Sequence, residues 1–293
     1  MATIVKALFY LIRFLPVRWA GAMGAGLGRI AYYIDGRHRD IAMRNLSRVY
    51  PQQTQTWKQR ISRESFAELG RTSFEMPHVF LRSADFLKSR IEFVGLDEVR
   101  KAQDEGNGIV FTSCHLSNWE IGALSVSLVD SPSAQMYRAV RQQPLDIFLK
   151  QCRERFGNQM HERNENMRWL AKALKQGQSV SIMIDQHLSN GVPVPFMGHL
   201  ARSTTLPAAY ARRNNAALFA GLVQRIDRQF RFRIEFKRIE LPGLSTQETS
   251  TEQDAIDCSS ALHDVYAQAI HARPELWLWI HRRWLYLDEQ EQA

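Results

Sequence analysis

Apolar and polar positions divide the chain into two stretches of different character. Residues 1–34 are apolar and aromatic, interrupted by Lys6, Arg13, Arg18 and Arg29. No run there reaches the roughly 20 apolar residues of a membrane-spanning helix. A cleaved leader needs an unbroken apolar run ahead of a small-residue cleavage site. Ala20-Gly21-Ala22 has the look of such a site, but Arg13 and Arg18 fall where the run belongs. The pattern therefore predicts a retained N-terminal helical membrane anchor over residues 1–34. It would lie in the lipid interface with its arginines reaching lipid phosphates. A single tilted span and a helical hairpin packed on the rest of the chain are the competing arrangements. Gly21, Gly24, Gly26 and Gly28 suit close helix packing in each case.

After a polar turn at residues 35–39, the spacing predicts a short basic helix over 41–49, stopped by Pro51, and a second over 57–74, ended by Pro77. Then the period changes. Short apolar runs at 91–94, 109–114, 135–137, 180–184 and 217–223 read as strands. Residues 97–104, 119–128, 145–156, 166–174 and 206–213 read as helices between them. Residues 230–239 alternate apolar and charged, as a half-exposed edge strand does. A polar low-complexity loop at 245–253 leads into a last helix over 251–271 and an aromatic tail at 277–284. Alternating strands and helices predict an α/β fold with a mixed, largely parallel central sheet flanked by helices, residues 35–293 forming one domain.

Composition adds little to this. The 293 residues are 45% apolar and 23% charged, which is ordinary for a globular protein. A net charge of +8 suits nucleic acid, an anionic membrane or an acidic protein partner, and does not choose among them. Three widely spaced cysteines, without a CxxC pair, argue against a disulfide scaffold or zinc ribbon and fit a reducing compartment.

Chemistry concentrates at Cys114-His115-Leu116-Ser117-Asn118-Trp119-Glu120. His115 directly follows a buried-type strand, and open α/β sheets bind ligands beyond the carboxyl ends of their strands. Glu120 stands five residues on; in one straight helix that separation turns through about 140° and points the side chains apart. The two meet only if His115 is on the loop and Glu120 in the first helical turn, with Ser117 as N-cap. A carboxylate on one imidazole nitrogen would then leave the other free to take a proton from a hydroxyl. The same residues also read as Ser-x-x-Glu, a capping box in which Glu120 merely closes its own helix. A second His-Leu-Ser-Asn at His187 has Val192 five residues on, hence no acid.

The His115-x4-Glu120 motif at a strand end resembles the histidine–acid motif of the lysophospholipid acyltransferase superfamily. More closely, the chain resembles the lipid A late acyltransferases of Gram-negative bacteria, the lauroyl and myristoyl transferases. The likeness runs through nearly the whole chain. It includes the apolar N-terminus, the basic stretch 37–45, Tyr137-Arg138, Asp185-Gln186, Phe196-Met197-Gly198 with Thr204 and Pro207, and Trp279-Ile280-His281-Arg282-Arg283-Trp284. Leu116 departs from the pattern where relatives carry an aromatic, and Leu206 where they often carry glycine. Both bear on pocket shape, hence on acyl length and acceptor.

The resemblance implies transfer of an acyl chain from acyl carrier protein, or sometimes coenzyme A, to a hydroxyl of a lipid A precursor in lipopolysaccharide biosynthesis. His115 would be general base and Glu120 would orient it, with no covalent acyl-enzyme, metal or bound cofactor. It also implies a bacterial inner-membrane location with the site facing the cytoplasm, and no nucleic-acid partner. Arg138 would bind phosphate or the developing oxyanion, or else pair with a surface acid. Asp185 would hold acceptor, support the base, or serve as a turn residue. Arg202 and Thr204, in a polar segment before a helix, suit an anion; Arg282 would pair with a buried acid or a substrate phosphate.

Three rival readings remain. A related enzyme could acylate a lysophospholipid or aminolipid. A metal hydrolase could use His115, Asp185 and His187, although no HxH or HxxxH spacing occurs near His115. A non-enzymatic membrane- or nucleic-acid-binding module could use the arginines of 225–238, which a solvated edge strand explains equally well.

Overall fold

A seven-stranded sheet carries the molecule, and the burial of its central strands on both faces explains their uninterrupted apolar sequences. The structure, a computed structural model, describes residues 2–240, 252–285 and 287. The predicted loop at 245–253 therefore lies outside the described residues, apart from its last two. In chain order the elements begin with helices α1 (Ala2–Phe14), α2 (Val17–Ile34), α3 (Gly36–Val49), α4 (Gln55–Leu81) and α5 (Ala84–Lys88). There follow β1 (Ile91–Val94), α6 (Leu96–Glu105), β2 (Ile109–Ser113), α7 (Trp119–Leu128), β3 (Ser133–Tyr137), α8 (Gln143–Glu154), β4 (Gln159–Glu162), α9 (Arg168–Lys175) and β5 (Ser179–Met183). The hairpin β6 (Val192–Phe196) and β7 (His199–Ser203) precedes α10 (Leu206–Arg213), β8 (Ala217–Arg225), β9 (Phe232–Ile239), α11 (Glu252–Ala272) and a 3-10 turn at Pro274–Leu276.

Strand order is β1-β9-β8-β2-β5-β3-β4. Strands β8, β2, β5, β3 and β4 run parallel, while β9 and β1 run the other way. The residues just after β2 and β5 therefore lie side by side at one end of the sheet. Alternate residues of β2 and β8 feed opposite layers. Val110, Leu218, Ala220 and Leu222 face one core with α9, α10 and α11; Ile109, Phe111, Phe219 and Val223 face the other with α5 to α8.

Two local expectations fail for tertiary reasons. Strand β9 is not an edge, because the four-residue β1 pairs along its outer side. Its exposed arginines reach neighbouring acids, Arg233 to Glu92 on β1 and Arg238 to Glu105 on α6. Pro77 does not end its helix: it withholds one N–H, but full burial of Val79 and Phe80 carries α4 on to Leu81.

The N-terminal stretch bends at Pro16 into two helices that do not pack as a hairpin: α2 is laid along α4, and α1 packs on α4 and α8. Small residues bring the axes together: a Cβ on Gly24 would sit 2.3 Å from the Gly70 carbonyl, and one on Gly28 would sit 2.1 Å from that of Phe66. The opposite face of α2 exposes Trp19, Met23, Leu27, Ile30 and Ile34, and α1 exposes Ile4, Leu8, Leu11 and Phe14. Among the described residues no helix is long and apolar enough to cross a membrane, so the single tilted span is corrected: the arginines and the Pro16 break divide the stretch.

Candidate active site

His115 and Asp185 leave adjacent strands at the same end of the sheet, two residues beyond the ends of β2 and β5. The Asp185 carboxylate grips His115 twice. One oxygen accepts from the His115 backbone N–H at 2.8 Å, and the other meets imidazole Nδ1 at 2.8 Å. Trp277 Nε1 donates to the first oxygen at 2.9 Å. Asp185 is an acceptor only, so Nδ1 carries the proton and Nε2 is the basic nitrogen. Nε2 faces the exposed Gln186, whose side-chain amide lies 3.2 Å away.

Burial works against charge on both groups, and their mutual attraction outweighs it. The imidazole is pushed above its ordinary range by the Asp185 charge and hydrogen bond, with a further contribution from Glu120. Asp185 is held well below the carboxylate range by His115 and by the Trp277 donor. It remains ionised throughout the physiological range.

Glu120 makes the expected approach to the motif but not the expected contact. It stands in the first turn of α7 and binds Arg153 of α8 through both oxygens, at 3.0 and 2.6 Å. The expected orientation of His115 by Glu120 is thus corrected. The side of the ring that a carboxylate would hold is taken by Asp185, which sheet neighbourhood brings closer than helical continuation brings Glu120. Nor does a capping box form. Asn118, not Ser117, is the N-cap, accepting from Ile121 N–H at 3.3 Å. Ser117 is strained at φ 55°, beyond what its side chain favours.

That strained turn is held from both sides. The C-terminal tail pairs with it: Leu116 bridges Trp277, Ser117 N–H donates to the Leu276 carbonyl and Leu278 N–H to that of His115. From below, a buried ionic network reaches up from α4. Arg225, at the end of β8, donates to Glu68 at 2.7 Å and to both oxygens of Glu75 at 2.9 and 2.8 Å. Glu75 also accepts from Asn118 at 3.0 Å. Arg71, also buried, pairs with Glu68 at 3.4 Å, so two acids and two arginines are buried together and balance in charge.

The remaining expected residues scatter around the same end of the sheet. Arg138 follows β3, is exposed, and makes no ion pair among the described residues. Arg202 on β7 braces the loop before it, donating to the Ser189 and Gly191 carbonyls. Thr204 accepts from Leu206 N–H at 3.2 Å and so caps α10 locally. Arg282 is exposed, so the expected pairing with a buried acid does not form there. Its neighbour Arg283 is fully buried, and it pairs with the Gln186 and Arg202 carbonyls and the Ser203 hydroxyl. His115, Asp185 and His187 do not form a group placed to hold a metal; among the described residues no such cluster exists.

Sequence reasoning missed Trp277, Gln186, Arg153 and the Glu68–Glu75–Arg225 network. Only the last leaves a trace in the chain: charged residues at helical spacing on the otherwise apolar flank of α4. An apolar cavity opens beside His115, between α7 and the sheet, lined by Phe111, Trp119, Val126, Met183, Val223 and Ile234. Trp119 packs edge-on against the imidazole at 5.2 Å.

Known proteins share this chain's sequence over most of its length. Residues 1–286 match the family described as bacterial lipid A biosynthesis acyltransferase. A lipid A biosynthesis acyltransferase of Haemophilus influenzae is 26% identical over 67% of this chain and 62% of its own length. The lipid A biosynthesis palmitoleoyltransferase of Escherichia coli is 25% identical over 89% of this chain and 83% of its own. The lauroyltransferase of the same organism is 24% identical over 94% and 88%. The chain is an acyltransferase and belongs to the bacterial lipid A biosynthesis acyltransferase family.

Proposed function

We propose that the protein esterifies a hydroxyl of a lipid A precursor with a fatty acyl chain taken from acyl carrier protein, at the cytoplasmic face of a bacterial inner membrane. The observation that carries this reading is the His115–Asp185 pair, with Nε2 directed outward beside an apolar cavity. The acceptor hydroxyl displaces the Gln186 amide and donates its proton to Nε2 as its oxygen attacks the thioester carbonyl. A carbon–oxygen bond forms. The carbon–sulfur bond then breaks, and the imidazolium returns the proton to the departing thiolate. Asp185 keeps Nδ1 protonated throughout and stabilises the imidazolium. Glu120 acts at one remove: paired with Arg153, it fixes the start of α7 and adds negative field at the ring.

The apolar cavity suits the acyl chain, because Trp119, which packs against the base, is among its lining residues. The exposed apolar faces of α1 and α2 suit an interfacial anchor. Arg138, Arg202 and Arg282 remain proposed contacts for acceptor phosphates, Arg138 being the best placed because it is exposed and unpaired beyond β3. No step requires a metal or bound cofactor.

The test is acyl transfer by detergent-solubilised protein, read by mass spectrometry, with acyl carrier protein bearing a medium or long chain and a tetraacyl lipid A precursor. The expected product gains one acyl chain and is lost in His115→Ala. Product that persists in the variant would refute the mechanism. Transfer to a lysophospholipid in place of the lipid A precursor would move the assignment to that acceptor.

A further inference from the structure

At the elbow between α1 and α2, a cavity separate from His115 is lined by Pro16, Val17, Arg18, His78, Arg82, Phe86, Arg90 and Gln229. Three of these are arginines and none is an acid. Arg82 and Arg90 both lie over the Phe86 ring, 5.4 and 5.0 Å from its centroid, and the Nε of each is buried without a partner. Arg82 spends one terminal nitrogen on the Arg13 carbonyl at 3.0 Å; among the described residues Arg18 and Arg90 make no ion pair. His78 lies at the base, 0% exposed, with neither ring nitrogen hydrogen-bonded. The Ile12 carbonyl faces its ring without completing a bond.

The backbone adds to this field. Helix α2 begins here with no side-chain cap and no acid in its first turn, and Pro16, Val17 and Arg18 at its start line the cavity. Buried donors without acceptors are costly, and three guanidinium groups repel one another unless an anion joins them. The Nε groups of Arg82 and Arg90 and the protonated nitrogen of the neutral His78 ring ask for the same thing: a compact acceptor with several oxygens.

We propose that this cavity is a binding site for the phosphate group of a lipid, held by Arg18, Arg82 and Arg90 over His78. A lipid is the source the surroundings favour, because Leu11 and Phe14 of α1 and Trp19 and Met23 of α2, on either side of the elbow, are exposed. A phosphate seated at the elbow would leave its acyl chains lying along these side chains. The site orients the two N-terminal helices on a phosphate-bearing surface and does not depend on the reaction at His115.

The experiment is flotation of the full chain with phosphatidylcholine vesicles, with and without phosphatidic acid. Arg18→Gln/Arg90→Gln is compared with Lys172→Gln/Lys175→Gln, which removes equal charge from exposed positions on α9. The site variant should lose about thirtyfold of the phosphatidic-acid-dependent affinity, taking roughly fivefold per arginine near an anionic surface. The α9 variant should change by less than about threefold, and His115→Ala not at all. Binding to pure phosphatidylcholine should persist in all, through the exposed apolar side chains of α1 and α2. Equal losses in the two double variants would reduce the effect to diffuse charge and overturn the proposal. So would thermal stabilisation by inorganic phosphate alone with no preference among vesicles, which would make the site one for free phosphate. Arg18→Gln alone, at an exposed side chain with no hydrogen bond or ion pair among the described residues, keeps the test valid if the double variant fails to fold; it should cost about fivefold.

Discussion

Replacing Asp185 by Asn changes the hydrogen-bond logic of the site while nearly preserving its shape. Asp185 accepts three hydrogen bonds, two on the oxygen shared by His115 N–H and Trp277 Nε1–H and one from imidazole Nδ1. An Asn satisfies the first two by presenting its carbonyl oxygen to them, which sets its NH2 against Nδ1. Two donors then face each other unless the imidazole moves its proton to Nε2, and in that tautomer the outward nitrogen is no longer basic. The loss in kcat should be about 10³ to 10⁴, the scale of a base held in the wrong tautomer. The pH profile gives a second readout. Asp185 raises the imidazole's pKa, so the wild-type rate should rise with pH through a limb above 6.5, the ordinary histidine value. Without the carboxylate, burial dominates, and the residual limb should move below that value. The assay is initial rate against pH with saturating acyl carrier protein thioester. Folding is checked by thermal midpoint, since Asp185→Ala would strand two buried donors at about 1–3 kcal/mol each. A D185N enzyme within about threefold of wild type, or with an unmoved limb, would refute the assignment of Asp185 as the orienting group.

Other perturbations read other links. Glu120→Gln should lower stability by about 3 kcal/mol by leaving Arg153 largely buried and unpaired, and should move the pH limb down by less than Asp185→Asn; an equal shift in rate and limb would restore Glu120 as the direct partner. Gly24→Ala should lower the thermal midpoint, because its methyl would meet the Gly70 carbonyl at 2.3 Å, while Gly26→Ala, with nothing within 4 Å, should be neutral or slightly stabilising. Arg225→Met should cost about 3 kcal/mol by taking the shared cation from Glu68 and Glu75, which leaves Arg71 on the first and the Asn118 amide on the second, measured by denaturant unfolding. His78, His263 and His281 are each pushed down to about 4 by burial, so the unfolded chain binds more protons than the folded one below 6.5. Their stabilisation is present above 6.5 and lost as pH falls toward about 4, whereas the raised His115 works the other way; unfolding free energy measured across that window should fall with acidity.

Much of the fold was legible because it is written in period. The buried runs of β2, β5 and β8, the helices that separate them and the glycines of α2 all follow from local pattern. What stayed hidden is pairing across distance. Nothing in the alternation of 230–239 says that four residues at 91–94 will cover its outer edge. Nothing in the spacing of His115 and Glu120 says that a residue seventy positions later lies nearer to the imidazole. Asp185 could be suspected, since it follows an apolar strand as His115 does. The partner became certain only once β2 and β5 were seen to be neighbours in parallel register. Trp277 gave less warning still, because an aromatic tail reads as packing whether or not its indole nitrogen has work to do.

The same non-local construction explains why the site draws on both ends of the chain. A loop residue at φ 55° and a buried histidine–carboxylate pair each cost free energy, so they persist only where neighbours over-determine them. Here the constraint comes from the tail, which pairs with the loop on both sides of Leu116 and donates to Asp185. It also comes from α4, whose Glu75 holds Asn118. Helix α4 is in turn held by α2, against which Glu75 packs so closely that a Cβ on Gly21 would lie 2.9 Å from its carboxylate. Helix α2, which presents an apolar face outward, is therefore mechanically continuous, through Gly21, Glu75 and Asn118, with the turn that carries His115. A substitution such as Gly21→Val should then reach the reaction without touching the base: it should lower kcat and thermal midpoint together, leave the pH limb of His115 in place, and be relieved in part by a shorter carboxylate at position 75. If Gly21→Val lowers the thermal midpoint but leaves kcat intact, α2 and the site are neighbours without being coupled.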